Sequence, residues 1–313
     1  MKPDPKNVHI DILIIYGISV GIVSLFLGTQ VIDHYRSQPK KVAYPQIVSD
    51  QRVLFDKSAF NDIKVLGKAY IVYNVTTHEV IASKNEKEVL PLASLTKIMT
   101  AMSSTLHKKK DEKILITPKS IEDGYDLGLK NKQVWKLSEL LKYMLVFSSN
   151  DGAQIVADSF GGKDIFVIQM NSDAKNFGLN LIFTDPAGRD IDGKIGGEGS
   201  ALEVAKLFSI ARKYIPEILD ATTKKRETVT TNFGKISGIP NTNQDIEMLP
   251  GAEASKTGYT DMAGGNLGVI VDISVGHPVV IVVLGSTKAG RFEDMEVLYK
   301  ALRTSLIKEK TLE

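Results

Sequence analysis

The chain has 313 residues, a net charge of +2 and no cysteine. That length can bury a large core, while the missing cysteines exclude disulfides, thiolate zinc sites and a cysteine nucleophile. The basic residues are scattered, and Lys108-Lys109-Lys110 runs straight into Asp111 and Glu112, which is the pattern of a solvated loop rather than of a nucleic-acid-binding face.

Five histidines (His9, His34, His78, His107, His277) are dispersed without metal-ligand spacing, so no metal centre or other cofactor is expected. After a short tail, 1–11, residues 12–32 read ILIIYGISVGIVSLFLGTQVI and carry no charge. At about 1.5 Å per residue such a helix spans a hydrocarbon core of about 30 Å. No small-x-small cleavage site follows, so the stretch is expected to stay as a transmembrane signal anchor. Lys2 and Lys6 precede it and Arg36, Lys40 and Lys41 follow it, so charge alone leaves the orientation open; an exported domain requires the tail to be inside. Residues 33–58 are polar, contain Pro39 and Pro45 and lack periodicity, as expected of a stalk.

A globular pattern begins near residue 59 and is taken to run to 313. AYIVYNV and VIAS flank TTHE as one hairpin; NLGVIVDISV and VVIVVLGS flank GHP as another. Helices are expected at 94–106, 137–147 and 292–308, with one more starting at Ser200, where Ser200 and Glu203 match a capping box. Strands at both ends with helices between them indicate an α+β domain with antiparallel pairing.

The first of these helices carries an oddity. Leu95, Ile98, Met99 and Met102 have the spacing of a buried face, yet Ser94 and Lys97 stack at its edge. Ser-x-x-Lys also occurs at Ser37/Lys40, Ser172/Lys175 and Ser305/Lys308, so the pair alone means little. Two further stretches add weight. Ser148 and Asn150 follow an apolar run ending at Phe147, and Lys256-Thr257-Gly258 stands just before the last hairpin. Each alone reads as a turn or a strand start.

In that order, Ser-x-x-Lys, Ser-x-Asn and Lys-Thr-Gly resemble the signature set of penicillin-recognising serine acyl-transfer enzymes. PLASLTKIMTAM, LSELLKYMLVFSSNDGA, GLNLIFTDPAGRD and GAEASKTGYTDMAGGNL resemble the D-alanyl-D-alanine carboxypeptidases among the low-molecular-weight penicillin-binding proteins, over residues 59–305. The resemblance implies a β-lactamase/transpeptidase-like fold, with an antiparallel sheet of about five strands, helices on both faces and a mostly helical lobe. It implies a membrane-anchored enzyme facing the cell wall. Its substrates would be D-Ala-D-Ala ends of peptidoglycan stem peptides, with β-lactams as acylating inhibitors.

It also implies roles. Ser94 would be the nucleophile and Lys97 the base that activates it, a task open to lysine only when burial or another cation lowers its pKa. Ser148 and Asn150 would relay a proton and hold the substrate amide. Lys256 would supply a second positive charge and, with Thr257 and Gly258, bind substrate; the N–H groups of Ser94 and Tyr259 would form an oxyanion hole. Arg291, in GSTKAGRFED, would join Lys256 and Thr257 on a substrate carboxylate. The chain departs from the family where GYDLGLKNKQ replaces a usually serine-rich stretch. Alternatives are a D,D-endopeptidase acting on crosslinks, a serine β-lactamase, and a non-catalytic β-lactam sensor or wall-binding module. No E-x-x-L-N lies between Ser148 and Lys256, which argues against a class A lactamase.

Overall fold

The apolar run Val279–Leu284 has no alternation, and every residue in it is buried. A strand with one wet face would alternate, so an unbroken run requires cover on both faces. The computed structural model, which describes residues 53–117, 121 and 128–307, supplies that cover.

Five strands form the main sheet: β1 (Ala69–Asn74), β2 (Val80–Lys84), β3 (Ala252–Thr260), β4 (Gly264–Asp272) and β5 (Pro278–Ser286). Their order is β3-β4-β5-β1-β2, antiparallel throughout. Val280, Val282 and Leu284 face one core, while Val279, Ile281 and Val283 face another. The expected sheet of about five strands and both expected hairpins are present.

The larger core lies between the sheet and a helical lobe of α1 (Lys97–His107), α2 (Leu137–Phe147), α3 (Asn150–Asp158), α4 (Lys163–Asn176) and α5 (Ala201–Tyr214). The smaller core lies under α6 (Gly290–Thr304), which contributes Met295, Leu298, Tyr299 and Leu302.

Several expected boundaries shift. The helix foreseen at 94–106 begins as a 3-10 turn, Ala93–Thr96, and becomes α-helical at Lys97. The one foreseen at 292–308 stops at Thr304, because Leu306–Ile307 pairs with Leu54–Phe55. That pairing also corrects the limit set at residue 58: Phe55 packs on the smaller core, so the folded unit starts within the expected stalk. A two-residue strand is too short to show periodicity. Ser200 caps α5 by accepting from Glu203 N at 3.3 Å, but the Glu203 carboxylate accepts from Asn180 N instead of closing the box.

Two smaller sheets were not foreseen. One joins Gly234–Pro240, Arg226–Thr231, Val134–Lys136 and Lys113–Leu115; the other joins Leu90–Pro91, Gly197–Gly199 and Ile182–Phe183. The expected membrane span, 12–32, lies outside the described residues, and among the described residues no helix is long and apolar enough to cross a membrane.

Phe208 of α5 is fully buried, with its ring against Gly268 of β4, the residue paired with Lys256 of β3. Phe208→Ala should therefore cost about 3–5 kcal/mol, as a large-to-small change in a packed core does. A fall in the urea midpoint at unchanged slope would register it; an unchanged midpoint would contradict the packing.

Candidate active site

Ser94 sits on the 3-10 turn that opens into α1, and Lys97 is the first residue of that helix. The step of three brings Lys97 Nζ to 2.8 Å from Ser94 Oγ. Lys97 has no exposed surface. Its Nζ donates to Asn150 Oδ1 at 2.8 Å and to the Ala187 carbonyl at 2.9 Å. Both acceptors can only accept, so a neutral amine would give them its two hydrogens and keep its lone pair for the Ser94 hydroxyl.

The second motif is placed by a broken helix. Ser148 ends α2 in the left-handed region, φ 63°, and Ser149 then caps α3 by accepting from Gly152 N at 2.6 Å. One helix thus ends and the next begins within two residues. Asn150 is thereby delivered to Lys97, and Ser148 to Lys256.

The third motif lies on β3, at the edge of the main sheet. Lys256 Nζ donates to Ser148 Oγ at 2.8 Å and to the Thr257 carbonyl at 2.9 Å. Thr257 Oγ1 bonds Thr242 Oγ1 at 2.7 Å. Gly258 is required by close approach: a Cβ there would lie 2.9 Å from Leu92 O and 3.2 Å from Ser94 N. Tyr259 follows it and is exposed on the cleft.

Ser94, Lys97 and Asn150 therefore form one hydrogen-bonded group and Ser148 and Lys256 another, and the charge of Lys97 is felt at Lys256. Ser172 and Ser305 of the other Ser-x-x-Lys pairs lie elsewhere, in α4 and just after α6. Arg291 is buried, and its Nη1 donates to the Gly258 carbonyl at 2.7 Å; it is joined to the third motif through that backbone group. Ser94 and Asn150 open into a cleft of about 540 Å³ lined also by Gly188, Arg189, Asp190 and Tyr259–Met262.

Sequence reasoning quoted the stretch that holds residues 185–189 for its resemblance but gave those residues no role. Ala187 contributes a backbone oxygen to Lys97, and Thr100 of α1 donates to Pro186 O at 2.6 Å. Gly188 has φ 77°, and a Cβ on it would fall 2.0 Å from Ala93 O, so the segment seats directly under the nucleophile. The string TDPAG signals a turn, but nothing in it names the lysine it touches. Thr242 and Asn266 were missed as well. Asn266 ties the sheet to the nucleophile segment by donating to Pro91 O at 2.9 Å while accepting from Gly285 N at 2.8 Å.

Burial pushes Lys256 well below the ordinary lysine value, with the nearby charges of Lys97 and then Arg291 acting in the same direction. A charge on Lys97 thus opposes a charge on Lys256, which sheds its proton more readily than a solvated lysine.

A serine, two coupled lysines and a glycine-floored strand edge suit acyl transfer. The family model described as D-alanyl-D-alanine carboxypeptidase, peptidase S11, matches residues 56–288. The chain belongs to this family. The D-alanyl-D-alanine carboxypeptidase DacF of Bacillus subtilis is 30% identical over 204 residues, 63% of this chain and 51% of that relative, so the chain spans about half of its length. The D-alanyl-D-alanine endopeptidase of Escherichia coli is 31% identical over 228 residues, 70% of each chain. Among solved structures, penicillin-binding protein D2 of Listeria monocytogenes in its ampicillin-bound form superposes with a TM-score of 0.67 at 30% identity, over 77% of this chain and 99% of that one.

The lowered pKa gives the charge of Lys256 a defined pH dependence: its neutral form is present above that pKa and lost as the pH falls through it. Removing the Arg291 charge raises the Lys256 pKa, because that charge helps to lower it. In Arg291→Met the Lys256 titration, followed by NMR of its labelled side chain, should move to higher pH, and Arg291→Lys should keep it near the wild-type position. A titration that does not move would show that Arg291 has no electrostatic hold on Lys256.

Proposed function

We propose that the protein is a serine D,D-carboxypeptidase that removes the terminal D-Ala of peptidoglycan stem peptides through an acyl-enzyme on Ser94. The observation that carries this reading is Lys97 Nζ, buried, held by two acceptor-only oxygens and 2.8 Å from Ser94 Oγ.

In this reading Ser94 Oγ attacks the carbonyl carbon of the penultimate D-Ala while its proton passes to Lys97 Nζ. The developing oxyanion meets the N–H groups of Ser94 and Tyr259, each typically worth about 3 kcal/mol. The C–N bond then breaks, and the proton that Lys97 took from Ser94 passes to the departing amine by way of Ser148, which Lys256 holds at 2.8 Å. Lys256 and Thr257 receive the substrate's terminal carboxylate, with Arg291 adding positive charge behind Gly258. Water enters after D-Ala leaves, gives a proton to Lys97 and attacks the acyl carbon; the bond to Ser94 breaks as Oγ takes that proton back, and the shortened stem is released. β-Lactams would acylate Ser94 by the same attack.

The alternative, cleavage of crosslinks, is favoured by the E. coli relative being named an endopeptidase. Incubating the protein with a pentapeptide stem and with a crosslinked dimer separates the two: free D-Ala from the first supports the carboxypeptidase, and monomers from the second support the endopeptidase.

Labelled penicillin should place its adduct on the peptide containing Ser94 by mass spectrometry, and Ser94→Ala should abolish it. Lys97→Arg keeps the charge but cannot become a neutral base, so acylation should fall by about 10³-fold or more with folding intact. Near-normal acylation in Lys97→Arg would leave Lys97 a structural role only.

Residues 12–32 would tether this domain to the membrane, with the catalytic domain on the wall side. Their uncharged length supports this reading. Full-length protein should remain in the membrane fraction through a carbonate wash. A mature form starting near residue 30 would instead identify the stretch as a removed signal.

A further inference from the structure

The active-site cleft holds two charged groups that the mechanism above does not use. Arg189 and Asp190 line it beside Ser94 and Asn150, opposite Tyr259–Met262. Although adjacent in sequence, they form no ion pair with each other among the described residues. Each is left incompletely satisfied.

Arg189 reaches Asp185 through Nη2 at 3.4 Å, and that carboxylate is shared with Lys163 at 3.5 Å. Asp185 is thus divided between two cations, and Arg189 holds only part of one carboxylate. Arg189 Nε is buried and has no hydrogen-bond partner. Asp190 accepts from Gly196 N at 3.3 Å, and its second oxygen has no partner. Leaving buried polar groups unpaired is costly, so two such atoms on neighbouring residues that line a cleft call for an explanation.

The support beneath Arg189 is rigid. Asp185 Oδ1 accepts from Ala187 N at 2.9 Å and from Arg189 N at 3.0 Å, closing the turn. That same turn is tied to α1 through the Ala187 and Pro186 carbonyls. The backbone that carries Arg189 is thus set in a fixed relation to the reacting serine.

Substrate direction follows from the reading of the site. If Lys256 and Thr257 take the carboxylate of the departing D-Ala, the acyl-donor chain leaves Ser94 along the other end of the cleft, between Gly188–Asp190 and Tyr259–Met262. The residue just before the scissile pair then lies within reach of Arg189 and Asp190.

We infer that Arg189 is a specificity-determining residue that reads a carboxylate on the acyl-donor side chain. It selects stem peptides whose diamino residue before D-Ala-D-Ala ends in both an ammonium and a carboxylate. A guanidinium meets a carboxylate with two parallel hydrogen bonds, and Asp190 supplies the opposite charge for the ammonium. A plain lysine side chain offers only the ammonium and leaves Arg189 unpaired. This rests on the D,D-peptidase reading of Ser94.

The test uses three synthetic pentapeptide donors that differ only at the end of that side chain: ammonium plus carboxylate, ammonium plus carboxamide, and lysine. Wild-type kcat/KM should be about tenfold or more higher on the first, the scale of one charge-assisted contact. Arg189→Met should lose that advantage, its loss falling on the first donor far more than on the other two, and Arg189→Lys should keep part of it. A wild-type enzyme indifferent to the carboxylate overturns the inference. So does an Arg189→Met variant that is equally impaired on all three donors, which would make Arg189 a brace for Asp185. A wild-type protein that turns over no donor and is not acylated by penicillin overturns the D,D-peptidase reading, and this inference falls with it.

Discussion

A lysine removed from water must either be given oxygen acceptors or surrender its proton. Lys97 is fully buried, and the positions of three chain segments follow from that one constraint. Asn150 comes from the start of α3, Ala187 from a turn between α4 and α5, and Ser94 from the turn before α1. Remove any of them and a buried nitrogen loses a partner. The helical lobe is therefore packed around an amine as much as around an apolar core. The apolar residues set how tightly the helices close, and the amine sets where they meet.

The second lysine adds an electrostatic condition. Lys256 belongs to the sheet and Lys97 to the lobe, so closing the sheet edge on the lobe forces two cationic side chains together. Arg291, buried behind Gly258, strengthens the effect. The repulsion opposes folding, and it favours loss of the proton from Lys256. Backbone strain is concentrated at the same place. Ala93 and Ser148 both have positive φ, at 48° and 63°, and both adjoin or belong to the reacting set. Such conformations persist only where the surroundings hold them, as Gly188 beneath Ala93 and Lys256 on Ser148 do here.

Much of this was legible in the sequence, for reasons that can be named. Ser94 and Lys97 could be paired because a step of three on a helical turn always stacks two side chains. The order of three motifs then raised that pair above three others of the same pattern. Helix α2 was bounded correctly because Leu137 to Phe147 has a clean apolar period and ends at a Ser-Ser-Asn break. What stayed hidden were contacts made by backbone atoms and by short strands. A carbonyl such as Ala187 O has no signature, since every residue carries one. The strand Val134–Lys136 pairs with Arg226–Thr231 at a single position, Trp135 with Thr231, and no local pattern encodes so brief a contact. Arg291 illustrates a third limit: the resemblance pointed to a partner for a substrate carboxylate, but not to its hydrogen bond with the Gly258 carbonyl.

The two walls of the cleft differ in how they are tied to the chemistry. On the sheet side, Thr260–Met262 extends past the Lys-Thr-Gly motif into the turn that joins β3 to β4, so changes there alter the cleft with little effect on Lys97. On the other side, the turn from Asp185 to Asp190 touches both the cleft and the base within three residues, since Ala187 holds Lys97 and Arg189 lines the opening. Asp185 organises both by accepting from the backbone N–H groups of Ala187 and Arg189. Selectivity and reactivity therefore share one carboxylate on this wall. A substitution that re-aims Arg189 while keeping Asp185 would alter substrate choice alone, whereas loss of Asp185 would also loosen the oxygen that holds the base.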